Sequence, residues 1–101
     1  MSNEVNRDLL MKNMTDNLVV LRNKLQLTQS ALATKVGISR QTLMNIENKK
    51  RDMSWNTFLA LLSVFREDKG TDGLLSHFEI YTPELSKYLI SPSANTAKDD
   101  V

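Results

Sequence analysis

TQSALATKVGISRQTLMNIE, residues Thr28 to Glu47, is the stretch on which the fold turns. Ala31, Leu32 and Val36 place apolar surface on one side of a short helix from Gln29 to about Val36. Ile38, Leu43 and Ile46 do the same for a second helix, from Arg40 to about Asn48. Gly37 stands between them. A right-handed helix that must stop and redirect within a residue needs a position with positive φ, which glycine adopts without a Cβ penalty. Ser39 then caps the second helix. The side chains left exposed at its start are Arg40 and Gln41, with Asn45 one turn on. These are long or amide side chains, the types that pair with base edges in a major groove.

Two short helices joined in this way have the layout of a helix-turn-helix. The surrounding residues resemble the lambdoid phage repressors and Cro proteins and the wider XRE-type family of small bacterial regulators, over roughly Asn17 to Phe65. Leu21, Arg22 and Leu25 are similar to that family's first helix, and Thr28 and Gln29 to the start of its second. Leu32 and Ala33 look like its packing pair, Gly37, Ile38 and Ser39 its turn, Ile46 and Glu47 the end of its recognition helix, and Ser54 the cap of its fourth. No single tripeptide is diagnostic; the signal is the order. The resemblance implies contact with double-stranded DNA, with Arg40, Gln41 and Asn45 at the positions that touch bases. It also implies a structural ion pair between Arg22 and Glu47 and, in most relatives, a homodimer. Lys49 stands where the family usually has glycine and Met53 where it often has proline. If the chain turns there with positive φ, either Asn48 carries it, which asparagine tolerates, or Lys49 does so at a cost.

Working outward, Thr15 and Asp16 offer caps for a helix through LVVLRNKL, with Leu18, Leu21 and Leu25 at helical spacing. Val5, Leu9, Leu10 and Met14 suggest an extra N-terminal helix before it. Ser54 caps a strongly apolar helix, WNTFLALLSVF, the floor of the core, in which Trp55 reads as packing. Glu67 to Gly73 reads as a polar loop, Leu74, Leu75 and Phe78 fit the completion of a fifth helix, HFEIY alternates well enough for a short strand, and Thr82, Pro83 and Glu84 read as a helix start ahead of Leu85, Tyr88, Leu89 and Ile90. The expected fold is all-α: a compact bundle of about five helices containing the helix-turn-helix, an extra N-terminal helix, and a C-terminal extension with or without a short strand. The division is a helical extension over 1–14, the reader over 15–66, a dimerisation extension over 67–90 and a disordered tail over 91–101.

Composition agrees with a compact module. The chain has 101 residues, 41% of them hydrophobic, enough for one core without covalent staples. No cysteine is present, so disulfides and cysteine-based zinc sites are excluded. His77 is the only histidine and has no carboxylate pair at ligand spacing. No enzyme activity, metal or cofactor is therefore expected. No apolar run reaches the roughly 20 residues that span a bilayer, and MSNEVNRDLL is too polar for a signal peptide, so no membrane contact and a cytoplasmic location are expected. The net charge of +1 conceals a division. Thr15 to Met53 carries seven basic residues against three acidic, and Ser54 to the end four against seven. A basic half that holds the motif would turn the module toward a polyanion.

Positions on the helices then assign the contacts. The N-terminus of the helix at Gln29, with unpaired amides and a partial positive charge, suits a phosphate, and Thr28 and Gln29 stand there. Ser39 and Thr42 occupy the corresponding place on the next helix. Asn48, Lys49, Lys50 and Arg51 form a second clamp after it. Such contacts set register and supply salt-sensitive affinity, while base edges supply specificity. A single reader covers too few base pairs for tight specific binding, so relatives place two recognition helices roughly 34 Å apart through a dimer. Leu74, Leu75, Phe78, Tyr81, Leu85, Tyr88 and Leu89 are the expected dimer surface, and the expected activity is that of a repressor on a palindromic operator. The alternative, from another class, is an antitoxin-type module whose C-terminal segment covers a protein partner.

Overall fold

The computed structural model describes residues 5–92 and folds them into α1 (Arg7–Lys24), α2 (Gln29–Val36), α3 (Arg40–Glu47), α4 (Trp55–Arg66), α5 (Lys69–His77) and α6 (Pro83–Ile90). No strand occurs among the described residues, and the all-helical expectation holds. Val101 and the other residues beyond Pro92 lie outside them, so the expected tail is described only at its start.

Side-chain oxygens start the helices. Asn6, Thr28, Ser39, Ser54, Asp68 and Thr82 each accept from an amide two or three residues on, which satisfies a donor that the helix itself leaves open. Thr15 and Asp16 do not cap anything. The two helices expected on either side of them are one helix of 18 residues, because Leu10, Met14, Leu18 and Leu21 keep a single buried stripe running through that point. Burial of this stripe outweighs the modest preference of threonine and aspartate for helix ends.

The second correction concerns Glu67 to Gly73, expected as a loop. From Lys69 onward it is the first turn of α5, held by Asp68, whose carboxylate accepts from the amides of Gly70 and Thr71 at 2.9 and 3.1 Å. The Thr71 hydroxyl, fully buried, donates to the carbonyl of Phe65 and ties α5 back to the end of α4. HFEIY forms no strand either. It is the end of α5 and a turn in which the amide of Ile80 donates to the carbonyl of Leu75 at 2.8 Å, and Ile80 is driven into the core. The alternation that resembled a strand comes from Phe78 and Ile80 both reaching inward around that turn.

One core unites all six helices: Leu10, Met14, Leu18 and Leu21 meet Leu32, Leu43, Ile46, Phe58, Leu61, Phe65, Leu75 and Leu85. Trp55 stacks on Phe58 with ring centroids 4.7 Å apart, and the Arg7 guanidinium lies over the Trp55 ring, 4.7 Å from its centroid. Trp55 is thus a packing residue. Leu75 and Leu85 were expected on a dimer surface and are instead fully buried within the monomer, while Leu74, Phe78, Tyr81 and Tyr88 lean on the same core. A segment rich in large apolar groups need not face a partner when a single reader leaves its own α1 and α4 uncovered.

Helix ends use left-handed residues more often than the glycine content suggests. Gly37 (φ 78°) ends α2, and the amide of Ile38 returns to the carbonyl of Ala33 at 3.0 Å. Gln26, Lys49 and Glu79 adopt the same conformation after α1, α3 and α5, with φ of 58°, 61° and 59°. A side chain there costs about 1 kcal/mol or more, because Cβ crowds the backbone. Glu79→Gly should therefore raise stability by about 0.5 to 1 kcal/mol, the strain relieved being partly offset by glycine's larger unfolded-state entropy. Its carbonyl would still accept from the Asn13 amide. A thermal melt that fails to rise would remove this account of the turn.

Candidate nucleic-acid interface

Leu43 and Ile46 anchor α3 to the core, and the 3.6-residue repeat then turns Arg40, Gln41, Met44, Asn45 and Asn48 toward the opposite side. Arg40, Gln41 and Asn48 are exposed; Met44 and Asn45 are half-buried. The Gln41 side-chain amide donates to the Asn45 side-chain carbonyl at 3.2 Å, so two of the expected base-reading groups are held as a pair before any ligand arrives. Sequence reasoning passed over Met44. Its helical position beside Arg40 was the available signal, and its apolar character hid it among core candidates.

The start of α3 is made rigid by its own hydroxyls. Ser39 Oγ accepts from the Thr42 amide at 3.0 Å and donates to Thr42 Oγ1 at 2.9 Å. Ser39 is exposed and Thr42 half-buried, so the former is the more open of the two. At the start of α2, Thr28 accepts from the Ala31 amide at 3.0 Å. The first-turn amides of such a helix have no partner within it and leave that end electropositive.

The Gln29 side chain has a partner inside the fold. Its amide nitrogen donates to Glu47 Oε1 at 3.0 Å. The reason is the burial of Glu47, whose side chain is only 3% exposed and whose oxygens need donors. Arg22 supplies the others: Nε to Oε2 at 2.7 Å and the second terminal nitrogen to Oε1 at 3.1 Å, while its remaining nitrogen donates to the Leu27 carbonyl at 3.1 Å. The Arg22–Glu47 pair is therefore a fork between α1 and the end of α3, with α2 joined through Gln29. It fixes the angle at which the recognition helix leaves the core.

The loop after α3 carries the second cluster. Lys49 takes the positive φ that the missing glycine would have taken, and Asn48 stays at φ −86°. Its ammonium lies 3.0 Å from Asp16 Oδ1, and Lys12 lies 2.8 Å from Asp16 Oδ2. Hydrogen bonds first from Lys12 and then from Lys49 hold the Asp16 carboxyl below the usual carboxylate range. Lys50 and Arg51 are exposed, and neither they nor Arg40 form an ion pair among the described residues. Arg40, Gln41, Asn48, Lys50 and Arg51 are thus exposed, with Asn45 half-buried and bonded to Gln41. Gln29 and Lys49 also make contacts within the fold, to Glu47 and Asp16.

His77 is exposed and meets Phe78 edge-on at 5.5 Å. Among the described residues no helix is long and apolar enough to cross a membrane, and no cluster of three metal-ligating side chains occurs. Residues 20–69 match a protein-family model described as helix-turn-helix. Comparison with curated proteins and with solved structures gave no match.

Proposed function

We propose, from the premise that residues 20–69 are an XRE-type helix-turn-helix domain and the protein a DNA-binding regulator, that it is a repressor that reads a palindromic operator as a homodimer. The observation that carries this reading is the polar face of α3, capped by Ser39, aligned by the Gln41–Asn45 bond and anchored from behind by Leu43 and Ile46. Arg40 has the fork geometry for guanine N7 and O6, and the amides of Gln41 and Asn45 suit adenine. Met44, between them, offers an apolar contact for a thymine methyl. The amides at the start of α2, with Thr28, and Asn48, Lys50 and Arg51 after α3 would take phosphates on either side. Gln29 acts in this scheme by holding Glu47.

With Leu75 and Leu85 committed to the core, the dimer surface narrows to the end of α6, where Leu89 and Ile90 are 41% and 78% exposed. The protein would work in the cytoplasm. Selection of bound sites from random duplex DNA tests the reading directly: a recovered inverted repeat with half-sites about one turn, roughly 34 Å, apart is expected. Sedimentation should show a dimer on that site. A monomer at micromolar concentration, both alone and on DNA, would remove the homodimer, and indifference to every duplex at low salt would remove the regulator.

A further inference from the structure

The family match begins at residue 20, and Lys12 and Asp16 lie before it, on α1. They nevertheless meet the loop that follows the recognition helix. Asp16 sits between the ammonium groups of Lys12 and Lys49, at 2.8 and 3.0 Å, with both lysines about two-thirds exposed. The cleft between α1 and this loop holds three cations, Lys12, Lys49 and Arg51, against three carboxylates, Asp8, Asp16 and Asp52. It is neutral, although Lys50, beside it on the same loop, forms no ion pair among the described residues.

We infer that the α1 extension adds a further DNA-backbone contact, made by Lys12 and Lys49, and that Asp16 is a built-in brake on it, competing with a phosphate for both ammonium groups. The inference rests on the DNA-binding reading above.

Magnitudes separate this from a merely structural role. Exposed ion pairs such as these hold a loop only weakly, and α1 and the loop are already fastened by Met11 and Met53 against the core. A fixed carboxylate beside an approaching polyanion, in contrast, acts on every duplex whatever its sequence. A phosphate that displaced Asp16 from either lysine would replace one carboxylate oxygen with another anionic oxygen, so the contact itself gains little. What changes is the repulsion that Asp16 leaves behind.

Asp16→Asn, which keeps shape and removes charge, should tighten binding at low salt by about fivefold, the size of one unit-charge repulsion at contact distance in water. It should do so equally on specific and unrelated duplexes and steepen the log–log salt dependence by about 0.9. Lys12→Gln should weaken binding and flatten that slope by about the same amount. Both variants are on exposed positions and should keep the wild-type melting temperature closely enough to be compared.

The experiment is a titration of wild type, Asp16→Asn, Lys12→Gln and Arg40→Ala with one selected and one scrambled duplex across a salt series. Unchanged or weaker binding by Asp16→Asn, or an unchanged slope for Lys12→Gln, would overturn the brake while wild type still bound and Arg40→Ala still lost discrimination. Failure of wild type to bind either duplex would overturn the DNA-binding reading, and the brake with it.

Discussion

Arg22→Ala is expected to cost about 3 to 5 kcal/mol of folding stability, because it strands a carboxylate inside the protein. Glu47 keeps one donor, Gln29, and loses the fork that now engages both of its oxygens at 2.7 and 3.1 Å. Its side chain is 3% exposed, so water cannot substitute without opening the junction of α1 and α3. Domains of this size are stable by only about 5 to 15 kcal/mol, and a loss of this order is a large share. The midpoint of a thermal melt should fall by about 15 to 25 °C. The paired change Arg22→Met with Glu47→Leu should cost less than Arg22→Ala alone, since it removes both charges together and leaves apolar volume behind. If urea melts found the double variant at the sum of the two single losses, the pair would not be coupled as the geometry requires.

The second large effect is on DNA. Arg40→Ala should relax discrimination at one base position by about 1 to 3 kcal/mol, tenfold or more, while leaving the fold intact, because Arg40 is exposed and forms no ion pair among the described residues. Lys50→Ala should behave in the opposite way, weakening all sites alike and reducing the salt slope by about 0.9. Measured against a panel of duplexes with single substitutions, the two variants should therefore differ in pattern rather than in size. Equal loss on every duplex for Arg40→Ala would make it a phosphate contact and move base reading to Gln41, Met44 and Asn45.

Much of the reader was legible because its signals are local. Thr28, Ser39, Ser54 and Thr82 each announce a helix within three residues, and Gly37 is one of few residues that can end α2 as it does. The Arg22–Glu47 pair was legible in another way, through resemblance, and the structure places it as implied. Where the reading failed, the deciding contact lay far off in sequence. Thr15 and Asp16 looked like caps until α1 was seen to bury one unbroken stripe. Asp68 was a cap overlooked because two glycines after it suggested a loop, and Thr71 found its partner in Phe65, on the preceding helix. The bond from the Gln29 side-chain amide to Glu47 likewise joins segments far apart in the chain.

The sequence by itself determined that there would be two short helices about a glycine turn, a polar edge beginning at Arg40, and a basic segment joined to an acidic one. Each of these follows from spacing, side-chain type or charge within a few residues, and no distant contact is needed to produce them. Only the tertiary structure decided which apolar side chains of the C-terminal third are spent inside the monomer, which amide satisfies Glu47, and that Asp16 sits between Lys12 and Lys49. Burial and pairing depend on what another segment offers at the same point in space, and a buried carboxylate or an uncovered leucine takes whichever partner the packing brings within reach.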